Sequence, residues 1–154
     1  MPCWFTLTCA VLSIFAFVCV LGSEVNVQRK NLLGLGSLQS VAVSGRLICL
    51  GRPAADVKVK LYESEVLLDS KLDEGRTDSN GVFRLSGSKR EFTTIDPKLN
   101  VYHKCNYNGL CDKKFSIRIL VDYVSSGSEA EKTFDIGTLN LANEYSGQTT
   151  DCIN

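Results

Sequence analysis

Apolar and polar side chains alternate with a period of two in short runs along most of the chain, and no stretch sustains the 3.6-residue period of a helix for a useful length. The clearest run is Val57-Lys58-Val59-Lys60-Leu61, apolar on one face and charged on the other. A strand of this kind is packed on one side and wet on the other, which suits an antiparallel sheet better than a parallel sheet covered on both faces. Upstream, Val41, Val43, Leu47 and Cys49 share a face opposite Ser44 and Arg46. Val66–Leu72 reads as a weaker strand at an edge, because Asp69 and Lys71 sit among its apolar residues and edge charges discourage pairing with other chains. Phe83 and Leu85 mark a short strand. Leu99, Val101, His103 and Cys105 line one face against Asn100, Tyr102 and Lys104, and Phe115, Ile117, Ile119 and Val121 line a returning strand. A last strand, Lys132 to Gly137, turns Phe134 and Ile136 inward, with Leu139 and Leu141 continuing the apolar set. Six or seven short strands without a helix predict an all-β, two-sheet β-sandwich.

The breaks between these runs carry recognisable turn chemistry. Gly51-Arg52-Pro53 ends the first strand, since proline has no N–H for a ladder and presets φ for a turn. Taken alone, Val41–Leu61 is therefore a hairpin. In Thr77-Asp78-Ser79-Asn80-Gly81-Val82-Phe83, Asp78 and Asn80 can bond their own backbone and Gly81 supplies a positive φ. Calcium ligation by Asp78 and Asn80 would need a glutamate near the twelfth loop position, where Arg90 and Glu91 straddle the place, so no metal is expected. Ser86–Pro97 reads as a loop, and Asn106-Tyr107-Asn108-Gly109 as a turn.

The N-terminal part has a different character. Cys3 to Leu21 is apolar or small at nearly every position and uncharged, the core of a signal peptide, although a positively charged start is missing. Cleavage is expected after Gly22, giving a signal peptide over 1–22, an arm over 23–40 in which Leu32, Leu33, Leu35 and Leu38 are interrupted by glycines, and one domain over 41–154. Removing the signal takes Cys3, Cys9 and Cys19 and leaves Cys49, Cys105, Cys111 and Cys152. An even set in an exported chain with no Cys-x-x-Cys spacing implies two disulfides rather than a metal site, and a secreted protein of the extracellular region or cell surface that does not span the membrane once the signal is cleaved. Four cysteines allow three pairings, and their spacing does not choose among them.

Charge narrows the partners. Lysine and arginine number 17 against 17 aspartates and glutamates. The densest basic cluster, Lys113 and Lys114 with Arg118, is spaced as the outer face of a strand, so no nucleic-acid partner is expected. No Asn-x-Ser/Thr acceptor for N-glycosylation occurs.

Taken in order, several runs resemble the nematode transthyretin-like family. They are Val43-Ser44-Gly45-Arg46-Leu47-Ile48-Cys49, Gly51-Arg52-Pro53-Ala54, Val57 to Tyr62, Thr77 to Phe83, Thr94-Ile95-Asp96-Pro97, Val101-Tyr102-His103-Lys104-Cys105-Asn106, Lys113-Lys114-Phe115 and Thr133 to Leu141. The resemblance covers Val41 to the C-terminus and implies a secreted, prealbumin-like (Ig-like) β-sandwich of about seven strands. It also implies that the two strands of Val41–Leu61 belong to different sheets, with Gly51-Arg52-Pro53 as the crossing. In that topology the strands ending at Cys49 and Cys105 arrive at one end of the sandwich, which implies the pairs Cys49–Cys105 and Cys111–Cys152.

His103, the only histidine, is the first place to look for a general base. It shares a face with Val101 and Cys105 and has no nucleophile in any recognisable signature, so the reading is a structural histidine satisfied by hydrogen bonds. The 5-hydroxyisourate hydrolases related to transthyretin need more than one histidine and a C-terminal Tyr-Arg-Gly-Ser, whereas Tyr145-Ser146-Gly147-Gln148 here lacks the arginine and is not terminal. The protein is therefore not expected to be an enzyme or to need a cofactor. Two classes remain. One is an extracellular recognition or bridging protein for a lipid, cell-surface or matrix partner, with Ser86–Pro97, Lys98 and the Lys113/Lys114/Arg118 face as candidate contacts. The other is a carrier of small hydrophobic ligands through a channel between subunits, as in transthyretin. Neither the ligand nor the oligomeric state is written in the sequence.

Overall fold

The computed structural model describes residues 36–153; the expected signal peptide and the arm as far as residue 35 lie outside the described residues. In chain order the strands are β1 (Ser37–Cys49), β2 (Arg52–Pro53), β3 (Lys58–Glu63), β4 (Ser70–Arg76), β5 (Val82–Glu91), β6 (Pro97–His103), β7 (Asp112–Arg118), β8 (Ser125–Ser126), β9 (Thr133–Asn140) and β10 (Thr149–Asp151), with a 3₁₀ turn at Val121–Tyr123. They form two sheets. In the first, β1 is the spine, paired along one edge with β5 and β2 and along the other with β8 and β9. The second has the order β10-β7-β6-β3-β4 and is antiparallel throughout. The seven strands expected are β1, β3, β4, β5, β6, β7 and β9, and β2, β8 and β10 are additions of two or three residues.

The inward alternation of the two sheets meets in a single core. Val41, Val43 and Leu47 of β1 and Phe83 and Leu85 of β5 face Val59 and Leu61 of β3, Leu99 and Val101 of β6 and Phe115 of β7, all at most 4% exposed. Ile95, Ile119 and Leu141 close the core from the connecting segments. Val41–Leu61 is the corner of the sandwich: β1 lies in one sheet and β3 in the other. Leu50 and Gly51, both with positive φ, turn the chain so that Arg52 and Pro53 pair back onto Cys49 and Ile48 before it crosses. Two consecutive positive φ values are the signature of a tight hairpin turn whose twist matches the strands it joins.

Four sequence expectations are corrected. Ordered strand starts at Ser37 rather than Val41, because Ser37–Gln39 pair with Glu91–Lys89 and the Gln39 amide donates to Thr93 O at 2.7 Å and accepts from Ile95 N at 3.2 Å. Ser86–Pro97 is loop only from Phe92 on, since β5 runs on to Glu91; the strand pattern of Ser86–Glu91 is hidden because Gly87 has no side chain where β4 closes in, and a Cβ there would lie 2.9 Å from Leu72 O. Val66–Leu72 is not a strand from its first residue, because Glu63 pairs with Ser70 and Val66, Leu67 and Leu68 fall in the intervening loop. Finally, β9 runs parallel to β1, with one extra residue opposite Gly45, at Ile136-Gly137. That bulge switches the inward parity, which is why Phe134 and Ile136 and then Leu139 all reach the core.

Candidate functional site

One end of the sandwich is built from covalent cross-links. Cys49 at the end of β1 is bonded to Cys105 just beyond β6, with Cα atoms 5.7 Å apart, so the bridge joins the two sheets. Cys111–Cys152, Cα atoms 4.5 Å apart, fastens β10 to the start of β7. The Asp78 turn lies at this end. Its carboxylate accepts from the N–H groups of Asn80 and Val82 at 2.9 and 2.8 Å, which commits Asp78 to shaping the turn. Thr77 donates from its hydroxyl to Ala54 O at 2.6 Å and accepts from Val57 N at 2.9 Å, tying the turn to the corner.

A cleft of about 440 Å³ opens beside the Cys49–Cys105 bridge, lined among others by Asp56, Lys58, Arg76, His103, Lys104 and Asp112. Arg76 pairs with Asp56 at 3.3 Å, and Lys104 donates to Gly109 O and Leu110 O at 2.9 and 2.7 Å. The expected hydrogen-bonded histidine is corrected here: His103 is 3% exposed, and neither ring nitrogen has a partner among the described residues. Its ring instead packs edge-on against Phe115, centroids 5.9 Å apart, and Phe115 stacks on Tyr145 at 4.2 Å. Tyr145 is thus a packing residue whose hydroxyl donates to Asn140 O.

Burial, reinforced by the neighbouring Lys113 ammonium and opposed by Asp112, holds the His103 imidazole below its usual pKa of 6.5. The neutral form is therefore favoured on folding, while the unfolded chain takes up a proton near the usual value. Stability from this group is complete above that value and is lost as pH falls below it, by at most about 1.4 kcal/mol per pH unit for one proton. Thermal unfolding should thus fall between pH 7.5 and pH 5, and His103→Leu should flatten that part of the profile. An unchanged slope in the variant would remove His103 as its cause.

The second feature is the outer side of the β10-β7-β6-β3-β4 sheet. The register sets Lys58 of β3, Tyr102 of β6 and Lys114 of β7 side by side, with Lys60, Asn100 and Ser116 in the next row and Tyr62, Lys98 and Arg118 beyond. Lys60 Nζ lies 5.4 Å and Lys114 Nζ 5.8 Å from the Tyr102 ring centroid, a double cation–π contact that covers the ring. Burial first of all raises the Tyr102 phenol to about 12, so it stays neutral. Ser116 donates to Asn100 Oδ1 at 2.7 Å, and Asn100 donates to Tyr102 Oη at 3.3 Å. Carboxylates balance the cations: Asp151 lies 3.5 Å from Lys114, Asp69 2.5 Å from Lys98 and Asp96 2.8 Å from Arg118.

Of the expected contacts, Lys98, Lys114 and Arg118 share this face. Lys113 does not, because it pairs with His103 on the opposite side of the sheet and lies over the Tyr107 ring at 5.4 Å. Within Ser86–Pro97, Ser86–Glu91 belongs to the other sheet. The sequence reading missed Lys58, Tyr62 and Tyr102; the strict alternation of β3 marked Lys58 and Lys60 as outward, but only the register places Tyr102 between Lys58 and Lys114.

The architecture defines a class: a two-sheet β-sandwich of seven main strands whose one end is clamped by two disulfides. Comparison with known proteins names it. The family described as the transthyretin-like family matches residues 44–119. Transthyretin-like protein 2 of Caenorhabditis elegans is 43% identical over 129 residues, covering 78% of this chain and 86% of that protein. Transthyretin-like protein 5 of the same organism is 42% identical over 123 residues, covering 77% and 88%, and transthyretin-like protein 33 is 39% identical over 148 residues, covering 94% and 96%. The chain belongs to the transthyretin-like family. Among the described residues no helix is long and apolar enough to cross a membrane, and the two disulfides are compatible with a secreted protein.

Proposed function

We propose that this is a secreted, non-enzymatic recognition or bridging protein that holds an extracellular lipid, cell-surface or matrix partner on the outer side of its β10-β7-β6-β3-β4 sheet. The observation that supports this reading is the rigid, charge-balanced array in which Lys58 and Lys114 flank Tyr102. Lys60 and Lys114 lean on the Tyr102 ring, and Lys98 and Arg118 on carboxylates, so a partner exchanges pairs rather than neutralising a bare patch. Binding of that kind weakens with salt, because contacts between exposed charges are screened beyond about 8–10 Å.

The test is binding of the secreted protein to the surfaces of cells from the source animal, compared with a Lys58→Glu, Lys114→Glu double variant. The expected result is binding at least about tenfold weaker in the variant, in the range found when interfacial charges are reversed. Unchanged binding would discard the sheet face as the recognition surface. The carrier reading has one clear requirement, an oligomer with an apolar channel. The lysines and arginine on this sheet face do not supply apolar walls, and a tetramer in light scattering that takes up hydrophobic ligands would put carriage in its place.

A further inference from the structure

The end of the sandwich opposite the disulfides carries a group of exposed apolar side chains. The loop 64–69 between β3 and β4 raises Val66, Leu67 and Leu68 into solvent at 102%, 97% and 79% exposure. The pairing of Glu63 with Pro97 and of Lys98 with Arg118 brings the loop after β5 and the segment after β7 to the same end, where Phe92 is 75% and Leu120 59% exposed. Isolated exposed leucines are ordinary, but three consecutive aliphatic side chains in water are not.

We propose that this tip seats the protein in the interfacial layer of a lipid bilayer, with Val66, Leu67 and Leu68 as the inserting residues. The proposal rests on the recognition reading above and names its partner as a lipid surface.

Three observations select a bilayer over a protein. The first is direction: three successive residues, each at least four-fifths or nearly so exposed, cannot all lie against one flat partner, whereas an apolar medium surrounds them from every side. The second is area. A fully exposed aliphatic side chain offers roughly 120 Å² on the usual conversion, so the triplet offers roughly 350 Å² and the end with Phe92 and Leu120 roughly 500 Å². A standard protein interface takes about 800 Å² from each partner, so a second copy has too little to hold. The third is charge. Glu65 and Asp69 bracket the triplet, and each is paired, Glu65 with Lys89 and Asp69 with Lys98 at 2.5 Å. Lys89 is shared with Glu91 at 2.8 Å, so the flanks hold three carboxylates against two ammonium groups and have no excess of cations that would draw the tip to an anionic surface.

Depth is limited by the backbone. A loop leaves peptide groups without internal partners, and these must stay within reach of water, so the side chains enter the headgroup and upper acyl region while the loop backbone remains at the headgroup level. Binding of this kind depends on apolar contact and is insensitive to salt, unlike the charge exchange of the sheet face.

Flotation of the secreted protein with phosphatidylcholine vesicles at low and high salt is the test. Wild type should float with neutral vesicles equally well at both salt concentrations, and Leu67→Asp should partition at least about tenfold less, since it removes an apolar side chain and adds a charge. Thermal unfolding of Leu67→Asp should match wild type, because Leu67 is 97% exposed. The chain's one tryptophan, Trp4, falls in the expected signal peptide, so Leu67→Trp gives a single reporter whose emission should shift to the blue when vesicles are added. Failure to float, flotation that needs anionic lipid or disappears at high salt, or an unaffected Leu67→Asp variant would each overturn the proposal. So would a wild-type dimer in sedimentation that Leu67→Asp converts to monomer, which would make a second copy the occupant. The two readings fail separately. A protein that does not float but still binds cell surfaces through Lys58 and Lys114 refutes the tip alone, and one that floats while the Lys58→Glu, Lys114→Glu variant binds cells unchanged refutes the sheet face alone.

Discussion

Replacing Cys49 and Cys105 together by alanine is expected to lower the free energy of unfolding by about 4 kcal/mol, the chain-entropy figure for a bond that closes a loop of this length. The separation is 56 residues, and the bond joins the spine strand of one sheet to the end of β6 in the other. Against the typical net stability of a small domain, about 5–15 kcal/mol, such a loss is large enough to leave a substantial unfolded fraction at elevated temperature. Urea denaturation read by near-UV circular dichroism measures it, and a loss under about 1 kcal/mol would show that core packing alone holds the sheets together. The Cys111→Ala, Cys152→Ala variant should lose less, although its separation of 41 residues is not much shorter. Without that bond the three residues of β10 can detach from β7 while the core stays folded, so the penalty is capped by the local opening of the tail.

Gly81→Ala is the single substitution expected to do most damage. Gly81 has φ +77°, and a Cβ there would lie 2.2 Å from the carbonyl oxygen of Leu47 and 3.2 Å from Ala54 N. Relief would require moving backbone, and that backbone is committed: Leu47 N donates to Gly81 O at 2.8 Å, and Ala54 N donates to Leu47 O at 3.0 Å. Alanine in the left-handed region costs about 1–3 kcal/mol before any collision, and the overlap with a fixed carbonyl brings the expected loss to about 3 kcal/mol or more. Asn80→Ala is the control. Its backbone N–H to Asp78 remains, so the same thermal denaturation should register a change of less than about 1 kcal/mol. A Gly81→Ala protein as stable as wild type would mean that the corner can move away from the turn.

These two positions show what could be read before the fold was known. Asp78, Asn80 and Gly81 announced their turn because its chemistry is local, each bond spanning a few residues. The faces of β1, β3, β6 and β7 were legible for a related reason: one side chain in two is buried, so the pattern survives without any knowledge of the partner strand. What stayed hidden depends on distant parts of the chain. Ser86–Glu91 looks like loop because its strand character comes from pairing with Ser37–Ala42, and Gly87 is small to make room for Leu72. Lys113 and Lys114 look equivalent in sequence, yet the pleat sends one toward His103 and the other toward Tyr102. Val66-Leu67-Leu68 mimics the start of an edge strand, and only the Glu63–Ser70 pairing shows that the hairpin has not yet turned back there. His103 was placed correctly on the inner face, but the number of partners its ring would find there is a property of packing.

The spine position of β1 sets the order in which the chain can mature. One edge of β1 is complete once β5 has been made, but the other accepts Phe134 beside Val43 and Leu139 beside Leu47, residues near the end of the chain. A nascent chain therefore carries an open strand edge, and a Cys49 thiol that must wait for Cys105, through most of its synthesis. Open edges and unpaired thiols invite wrong partners, so joining Cys49 to Cys105, both thiols being oxidised by an external disulfide that is reduced in turn, before β9 docks would leave the spine covalently held but half-zipped. The last step of maturation would then be closure by a parallel strand, a slow, long-range event, and the yield of correctly folded protein should depend more on protection of that edge during folding than on the stability of the finished sandwich.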